Sequence, residues 1–249
     1  MRSLVLAAFL ATCGALTAQV TVLNGASSRV GQPITGGSWA TAYGAFANVT
    51  STTATTSPIP KTLGGVTVSV NGVAAPVYFV SPTQINFLVP FAVTPGLRAV
   101  EIKTSSATLT SNVRVMSAAP GIFIGTPSTS ALPPAGAVLN QDFSVNGQSS
   151  TARRGQVVQI FATGPGALSR AIEDGAAAPS SPLALTASTP EVFIAGVPAV
   201  VQFSGMAPGF SGLWQINAIV PDRAFVTGRV PLQLFMDGVD SNEVSIFVQ

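Results

Sequence analysis

Side chains that enzymes use for acid–base and nucleophilic chemistry are scarce in this chain. Its 249 residues include no His and one Cys, Cys13. A Ser or Cys nucleophile needs a neighbouring general base, which is most often His, and ordinary zinc sites are built from His and Cys. No acidic residue occurs between Gln19 and Val100, so the first half has little from which to build the carboxylate pair of a glycosidase. We therefore expect neither an enzyme nor a cofactor.

The densest acidic group is formed by Asp237, Asp240 and Glu243. Carboxylate oxygens so close in sequence could hold calcium, which prefers hard oxygen ligands, although the spacing does not match an EF-hand. Asp237 is followed by Gly238, however, and this pair is a strong signal for a hairpin turn. We favour the turn and keep a calcium site as the alternative; no other metal site is predicted.

Four amide side chains recur at matching places in two distant stretches: Gln84, Asn86, Gln215 and Asn217. Buried or half-buried amides in proteins are usually hydrogen-bonded within the protein. We expect these amides to satisfy neighbouring backbone groups where a strand leaves a loop, which would keep both copies alike without a ligand.

Two aromatic residues of the second half, Phe210 and Trp214, are the candidate ligand-binding residues. Exposed aromatic rings can form a platform for a sugar or a partner chain. A Trp buried in the core of a β-sandwich is the more common arrangement, so we favour a core position for Trp214 and keep the platform as the alternative.

The composition indicates β structure around these residues. Hydrophobic residues make up 47% of the chain and charged residues only 8%, with 24 Gly and 19 Pro. Gly and Pro disfavour helix interiors and suit turns, while the polar surface must come from Ser, Thr, Asn and Gln. Short runs of alternating residues such as 66–70 predict strands, and Asn71-Gly72 predicts a hairpin into the next strand.

Two stretches of the chain carry the same motifs in the same order. Residues 84–90 (QINFLVP) match residues 215–221 (QINAIVP), and the matches continue upstream and downstream. We predict an all-β protein of two tandem immunoglobulin-like β-sandwich domains related by internal duplication, at 19–119 and 120–249. A Thr- and Ser-rich insert at 50–60 is expected to be an exposed loop.

The first residues have the features of a secretory signal peptide at 1–18. Arg2 supplies the positive end, residues 4–10 are apolar, and Ala18 is a small residue before the expected cleavage site. A lipid-modified Cys13 is the alternative, and retention on the cell surface is left open. No later apolar run reaches the roughly 18 residues of a membrane-spanning helix, so no span is expected in the mature chain.

The formal net charge of +2 does not indicate a nucleic-acid-binding protein. Arg153-Arg154 is the one adjacent basic pair, and it precedes a Gly, as a solvated turn does.

The motifs resemble a family of secreted bacterial proteins, the Solibacter-type uncharacterised C-terminal domain. The resemblance covers nearly the whole mature chain and implies an extracellular pair of Ig-like domains with no activity attached. Family members commonly carry a further region in front of these domains, and we expect any function of such a region to be absent here. The matching segments are Leu63-Gly64-Gly65-Val66, 80–87, 119–123, 161–166 and 178–183.

Together these features predict a secreted or cell-surface module without enzymatic activity, for adhesion, display or protein–protein assembly. Its partner is an unidentified protein or glycan. The alternative is a carbohydrate-binding module that uses the loop around Phe210 and Trp214.

Overall fold

The computed structural model describes residues 20–126 and 132–249. The predicted signal peptide at 1–18, with Arg2, Cys13 and Ala18, lies outside the described residues. Within the described ranges the chain is all-β, and it holds no helix that could cross a membrane. The strands of the first half are β1 Thr21–Asn24, β2 Trp39–Tyr43, β3 Thr52–Thr53, β4 Thr62–Leu63, β5 Val66–Val70, β6 Val73–Ala75, β7 Val77–Val80, β8 Gln84–Leu88, β9 Gly96–Lys103 and β10 Thr108–Val115.

The second half holds twelve further strands. They are β11 Gly121–Ile122, β12 Ile124–Thr126, β13 Ala135–Gly136, β14 Val138–Leu139, β15 Val157–Thr163, β16 Glu191–Ile194, β17 Val197–Ala199, β18 Val201–Met206, β19 Trp214–Ile219, β20 Gly228–Met236, β21 Val239–Asp240 and β22 Val244–Val248.

Each half is a sandwich of two sheets. In the first half the strand orders are β1-β2-β8-β7-β3 and β10-β9-β5-β4, with β6 beside β5. In the second half they are β11-β15-β19-β18, with β14 beside β15, and β12-β13-β22-β20-β16-β17, with β21 beside β20. Alternate residues of the strands point inward; Val66, Val68 and Val70 of β5, for example, are buried while the residues between them are partly exposed. Each half has its own hydrophobic core.

The duplication is confirmed by strand pairing. β2, β8 and β7 pair in the same order and register as β15, β19 and β18: Thr41 is opposite Asn86 as Gln159 is opposite Asn217. Even the β-bulge recurs, since pairing shifts between Val77 and Phe79 in β7 and between Val201 and Phe203 in β18. The two copied segments therefore occupy equivalent places in two sandwiches.

The insert at 50–60 is more ordered than its composition indicates. Thr52 and Thr53 form β3 at the edge of the first sheet, and the Ile59 backbone N–H donates to the Gly175 carbonyl of the second half at 2.9 Å. The side chain of Ile59 is buried. Most of the insert is exposed, as expected, and Ile59 is the exception because its buried side chain and its backbone bond tie this end of the segment to the neighbouring sandwich.

Candidate functional site

The repeated amides lie on the outer face of each sandwich and bond to each other. The Gln84 Nε2 donates to Asn86 Oδ1 at 2.8 Å, and Gln215 Nε2 donates to Asn217 Oδ1 at 2.9 Å. The predicted partners, backbone groups at the strand end, are wrong: residues two apart on a strand point to the same face, and the strand backbone is already paired with its neighbours. The backbone N–H of Gln84 is satisfied by Ser81 Oγ at 2.9 Å instead.

Trp214 is fully buried in the core of the second sandwich. Its Nε1 donates to Ser204 Oγ at 2.9 Å, so the polar edge of the ring is also satisfied inside the protein. The favoured core position of Trp214 is therefore confirmed, and the alternative of an exposed platform is wrong for this residue. Phe210 is 59% exposed, but Trp214, with which it was expected to form the platform, is buried.

The acidic group near the C-terminus forms a turn and a contact between the sandwiches. Asp237 and Gly238 have φ angles of 50° and 78° and close the hairpin between β20 and β21, as predicted. Asp240 pairs with Arg29 of the first half at 3.5 Å. Across residues 20–126 and 132–249 no three His, Cys, Asp or Glu side chains lie close enough to share a metal ion, so the calcium alternative finds no support for Asp237, Asp240 and Glu243.

The two sandwiches are joined by hydrogen bonds between residues of the first half and residues of the second. Trp39 is bonded twice: its backbone N–H donates to Thr163 Oγ1 at 2.8 Å, and its indole Nε1 donates to the Ser211 carbonyl at 3.1 Å. Gln32 Nε2 donates to the Pro120 carbonyl at 2.8 Å, and the Phe91 backbone N–H donates to Asp174 Oδ1 at 2.9 Å. Two bonds within the first half hold its last residues beside the junction: Asn24 Nδ2 to the Ala119 carbonyl at 3.0 Å and Thr35 Oγ1 to the Ser117 carbonyl at 3.1 Å.

Close packing accompanies these bonds. A Cβ on Gly164 would lie 1.9 Å from the Ala119 carbonyl oxygen, and one on Gly212 would lie 2.3 Å from Leu88 Cδ2. The Ala119 backbone leaves no room for a side chain at 164, so that position requires glycine, whereas a Cβ at 212 would have to displace the end of the Leu88 side chain. The junction is therefore a specific contact that holds the sandwiches in one arrangement.

A cleft of about 180 Å³ opens on the outer face at this junction, and we take it as the candidate binding site. Its walls hold three aromatic rings, two from the first sandwich and one from the second. The rings of Trp39 and Tyr78 stand edge to face, with centroids 5.4 Å apart and an interplanar angle of 70°. The lining residues are Gly25, Trp39, Thr41, Tyr78, Asn86 and Phe123.

The chemistry of the cleft suits binding and offers little for catalysis. None of its lining side chains is charged at neutral pH. Among the described residues, an acidic group with a lowered pKa lies elsewhere: hydrogen bonds from the Ser144 hydroxyl and backbone N–H lower the pKa of Asp142 on an exposed turn.

Of the residues that line the cleft, Asn86 was predicted from the sequence as a candidate, but the three rings around it were not. Trp39, Tyr78 and Phe123 are far apart in sequence, and no motif unites them. A signal was present in the internal repeat, because the second copy has Val157 at the position of Trp39 and Gln202 at the position of Tyr78.

Comparisons with known proteins give no family. No family model matches the chain, and no curated protein matches it, so the resemblance to the Solibacter-type family stays a prediction. Among solved structures it is similar to the Bacteroides ovatus mixed-linkage glucan utilisation protein SGBP-B in complex with a mixed-linkage heptasaccharide, at 13% identity and a TM-score of 0.36 over 89% of this chain and 43% of that one. The extracellular region of Plexin A4 gives 12% identity and a TM-score of 0.29 over 97% of this chain and 17% of that one.

Domains 5–6 of the S-layer protein SbsC give 15% identity and a TM-score of 0.27, with coverage of 92% of this chain and 96% of that one. The chain spans less than half of SGBP-B and less than a fifth of the plexin region. TM-scores at this level establish neither a common function nor a common ligand.

Proposed function

We propose that the protein is a secreted, non-enzymatic module for adhesion or surface display, which presents one binding face on two rigidly joined sandwiches. The observation that carries the proposal is the uncharged cleft at the junction, lined by Trp39, Tyr78, Phe123 and Asn86. Binding sites of this kind are concave and mostly apolar, with a few polar groups that orient the ligand, and they occur preferentially between domains.

The rigidity of the junction supports a display role. Phe123 lines the cleft from the second half while the other rings come from the first, so the site is complete only when the two sandwiches keep one arrangement. The double anchoring of Trp39 to Thr163 and Ser211 provides that arrangement at the cleft itself. A preorganised site of this type loses little conformational entropy when a ligand binds.

The chemistry of the residues that line the cleft supports a role without turnover. The cleft has no carboxylate, imidazole or thiol among its lining residues, so it offers no general base for a hydrolytic reaction. We retain the division into domains at 19–119 and 120–249, and secretion through the signal at 1–18, as parts of the same proposal.

Binding to a cell surface tests this function. The labelled protein is mixed at micromolar concentration with intact cells of the producing organism, and the sedimented fraction is measured before and after proteinase treatment of the cells. We expect the sedimented fraction to saturate with increasing protein concentration. Binding that persists after proteinase treatment of the cells would indicate a glycan receptor, and loss of binding would indicate a protein receptor. No sedimentation, or turnover of chromogenic esters or glycosides by the purified protein, would reject the proposal.

A further inference from the structure

The two copies of the sandwich provide an internal comparison for the cleft. Both copies carry the same amide pair at the same register, Gln84 with Asn86 and Gln215 with Asn217. A feature common to both copies is explained by the architecture that they share. The two copies differ in the side chains that surround the amides. Because the copies share one fold, the fold does not require these differing side chains.

The aromatic rings are the main difference. Register places Val157 where the first copy has Trp39, and Gln202 where it has Tyr78. Tyr78 is the extra residue of the bulge in β7; both copies have this bulge, so the difference lies in the residue that it carries, Tyr78 in the first copy and Gln202 in the second. Its side chain leans edge-on against Trp39, although the residue keeps 40% of its surface exposed. The first copy thus carries an accessible aromatic pair that the second copy lacks.

Polar groups in the cleft are left free by the internal hydrogen bonds. Gln84 occupies the Oδ1 of Asn86, and no side chain or backbone group in residues 20–126 and 132–249 accepts a hydrogen bond from Asn86 Nδ2. The Thr41 hydroxyl likewise has no hydrogen-bond partner among the described residues. The cleft therefore offers an amide donor and a hydroxyl that can both donate and accept.

The ligand class follows from this combination. The lining is without charge, so an anionic or cationic ligand would lose hydration without gaining an ion pair. Flat aromatic faces need apolar C–H surface against them, and the amide and hydroxyl need partners on the rim of the same ligand. A sugar ring has both properties, with C–H groups on its faces and hydroxyls around its edge.

The size of the cleft limits how much of the ligand is enclosed. Pockets that bury a whole drug-sized ligand measure roughly 300–1,000 Å³, whereas this cleft measures about 180 Å³ and is open to solvent. Such a volume suits one ring-sized group, with the remainder of a chain lying along the outer face of the sheet.

We infer that the cleft formed by Trp39, Tyr78, Asn86 and Phe123 is a binding site for a neutral polysaccharide, with one sugar ring packed against the aromatic lining. This inference rests on the proposed binding function and assigns its ligand class. The inferred carbohydrate-binding site lies on the outer face of the first copy, at the junction, and not at the loop around Phe210 and Trp214 in the second copy.

The test uses neutral oligosaccharides of known composition as probes: hexamers of β-1,4-glucan, xylan, mannan, chitin and α-1,4-glucan, with oligogalacturonate as a charged comparison. Titration is followed by calorimetry and by Trp fluorescence. The chain has two Trp residues, and Trp214 is buried in the second core, so a change in emission reports on Trp39. We expect at least one neutral probe to bind with Kd below about 1 mM and to shift the emission, and oligogalacturonate to bind at least tenfold more weakly.

Matched variants separate the site from the architecture. Tyr78→Ala and Asn86→Ala are each expected to weaken binding at least tenfold. Two variants serve as controls. Tyr43→Ala removes a Tyr that is about as exposed as Tyr78 but lies at the end of β2, outside the cleft. Asn217→Ala breaks the equivalent amide pair in the second copy. Both controls are expected to leave Kd within twofold, and Tyr78→Gln, which copies the second sandwich, is expected to behave as Tyr78→Ala.

The outcomes distinguish this inference from the broader function. Binding to cells without binding of any neutral probe would overturn the saccharide site and leave the adhesion function standing. Equal losses in Asn86→Ala and Asn217→Ala, unchanged binding in Tyr78→Ala, or cleft-dependent binding of a Pro-rich peptide in place of the sugars would also overturn it. Saccharide binding without binding to cells would support the site and reject adhesion.

Discussion

Replacing Gly212 with Ala tests whether the junction is as closely packed as its geometry implies. Gly212 has a φ angle of +65°, a conformation that costs an L-residue roughly 1–2 kcal/mol. Its added Cβ would also lie 2.3 Å from Leu88 Cδ2 and 2.9 Å from Trp39 Nε1. Inserting a methyl group into a closely packed region costs a further ~1–3 kcal/mol. The sum predicts a loss of about 2–4 kcal/mol, because the end of the Leu88 side chain can move to relieve part of the contact.

Gly209 provides the matched control in the same loop. Its φ angle is +83°, and nothing lies within 4 Å of the position that its Cβ would occupy. Gly209→Ala should therefore show the backbone cost alone, roughly 1–2 kcal/mol. The difference between the two variants isolates the packing of the junction.

The assay is urea unfolding with thermal melting as a second measure. For a chain of this size 1 kcal/mol corresponds to roughly 2–4 °C in Tm, so Gly212→Ala should lower Tm by on the order of 5–15 °C and Gly209→Ala by less. Because the Trp39 indole donates to Ser211 beside the mutated position, Gly212→Ala should also change Trp fluorescence of the folded protein. Equal effects of the two variants on stability would refute the close packing of the junction.

Further predictions concern the cores and one titrating turn. Trp214→Ala should cost about 3–5 kcal/mol in urea unfolding, because it leaves a large cavity in the second core; a loss below about 1 kcal/mol would contradict full burial. Asn242→Ala should cost roughly 1–3 kcal/mol, because the Asn242 amide bonds both the N–H and the carbonyl of Ile122, at 2.8 and 3.0 Å. Ser144→Ala should raise the pKa of Asp142 towards 3.8, as followed by NMR titration. Since the native pKa is lowered, this carboxylate's contribution to stability is present above the unfolded-state pKa and is lost as pH falls through the native value, and Ser144→Ala should reduce that acid dependence.

Local features were predictable because they depend on few residues. The hairpin at Asn71-Gly72 has φ angles of 51° and 80°, as expected for a pair that tolerates the left-handed region. The repeat predicted that β8 and β19 would occupy equivalent places, since the same alternation of inward and outward residues builds the same strand. The repeat of the amides was visible in the sequence, but their hydrogen-bond partners were not predicted correctly.

Features that depend on contacts between distant residues were harder to predict. The residue type favoured a core position for Trp214, and its burial in the second core confirms it, but the sequence did not indicate which residues surround it. Ile59 is an apolar residue within a polar insert. Its backbone hydrogen bond to Gly175 of the second sandwich holds this end of the segment in place, and the sequence does not indicate that contact.

Periodicity, turn chemistry and internal repetition in the sequence determined the class of fold and its duplication, because they act over a few neighbouring positions. The tertiary structure alone decided how the sandwiches meet. Trp39, Tyr78 and Phe123 come together through a bulge and through the hydrogen bonds of the junction. The free energy of such contacts depends on two surfaces fitting each other, and no single stretch of the chain contains both surfaces.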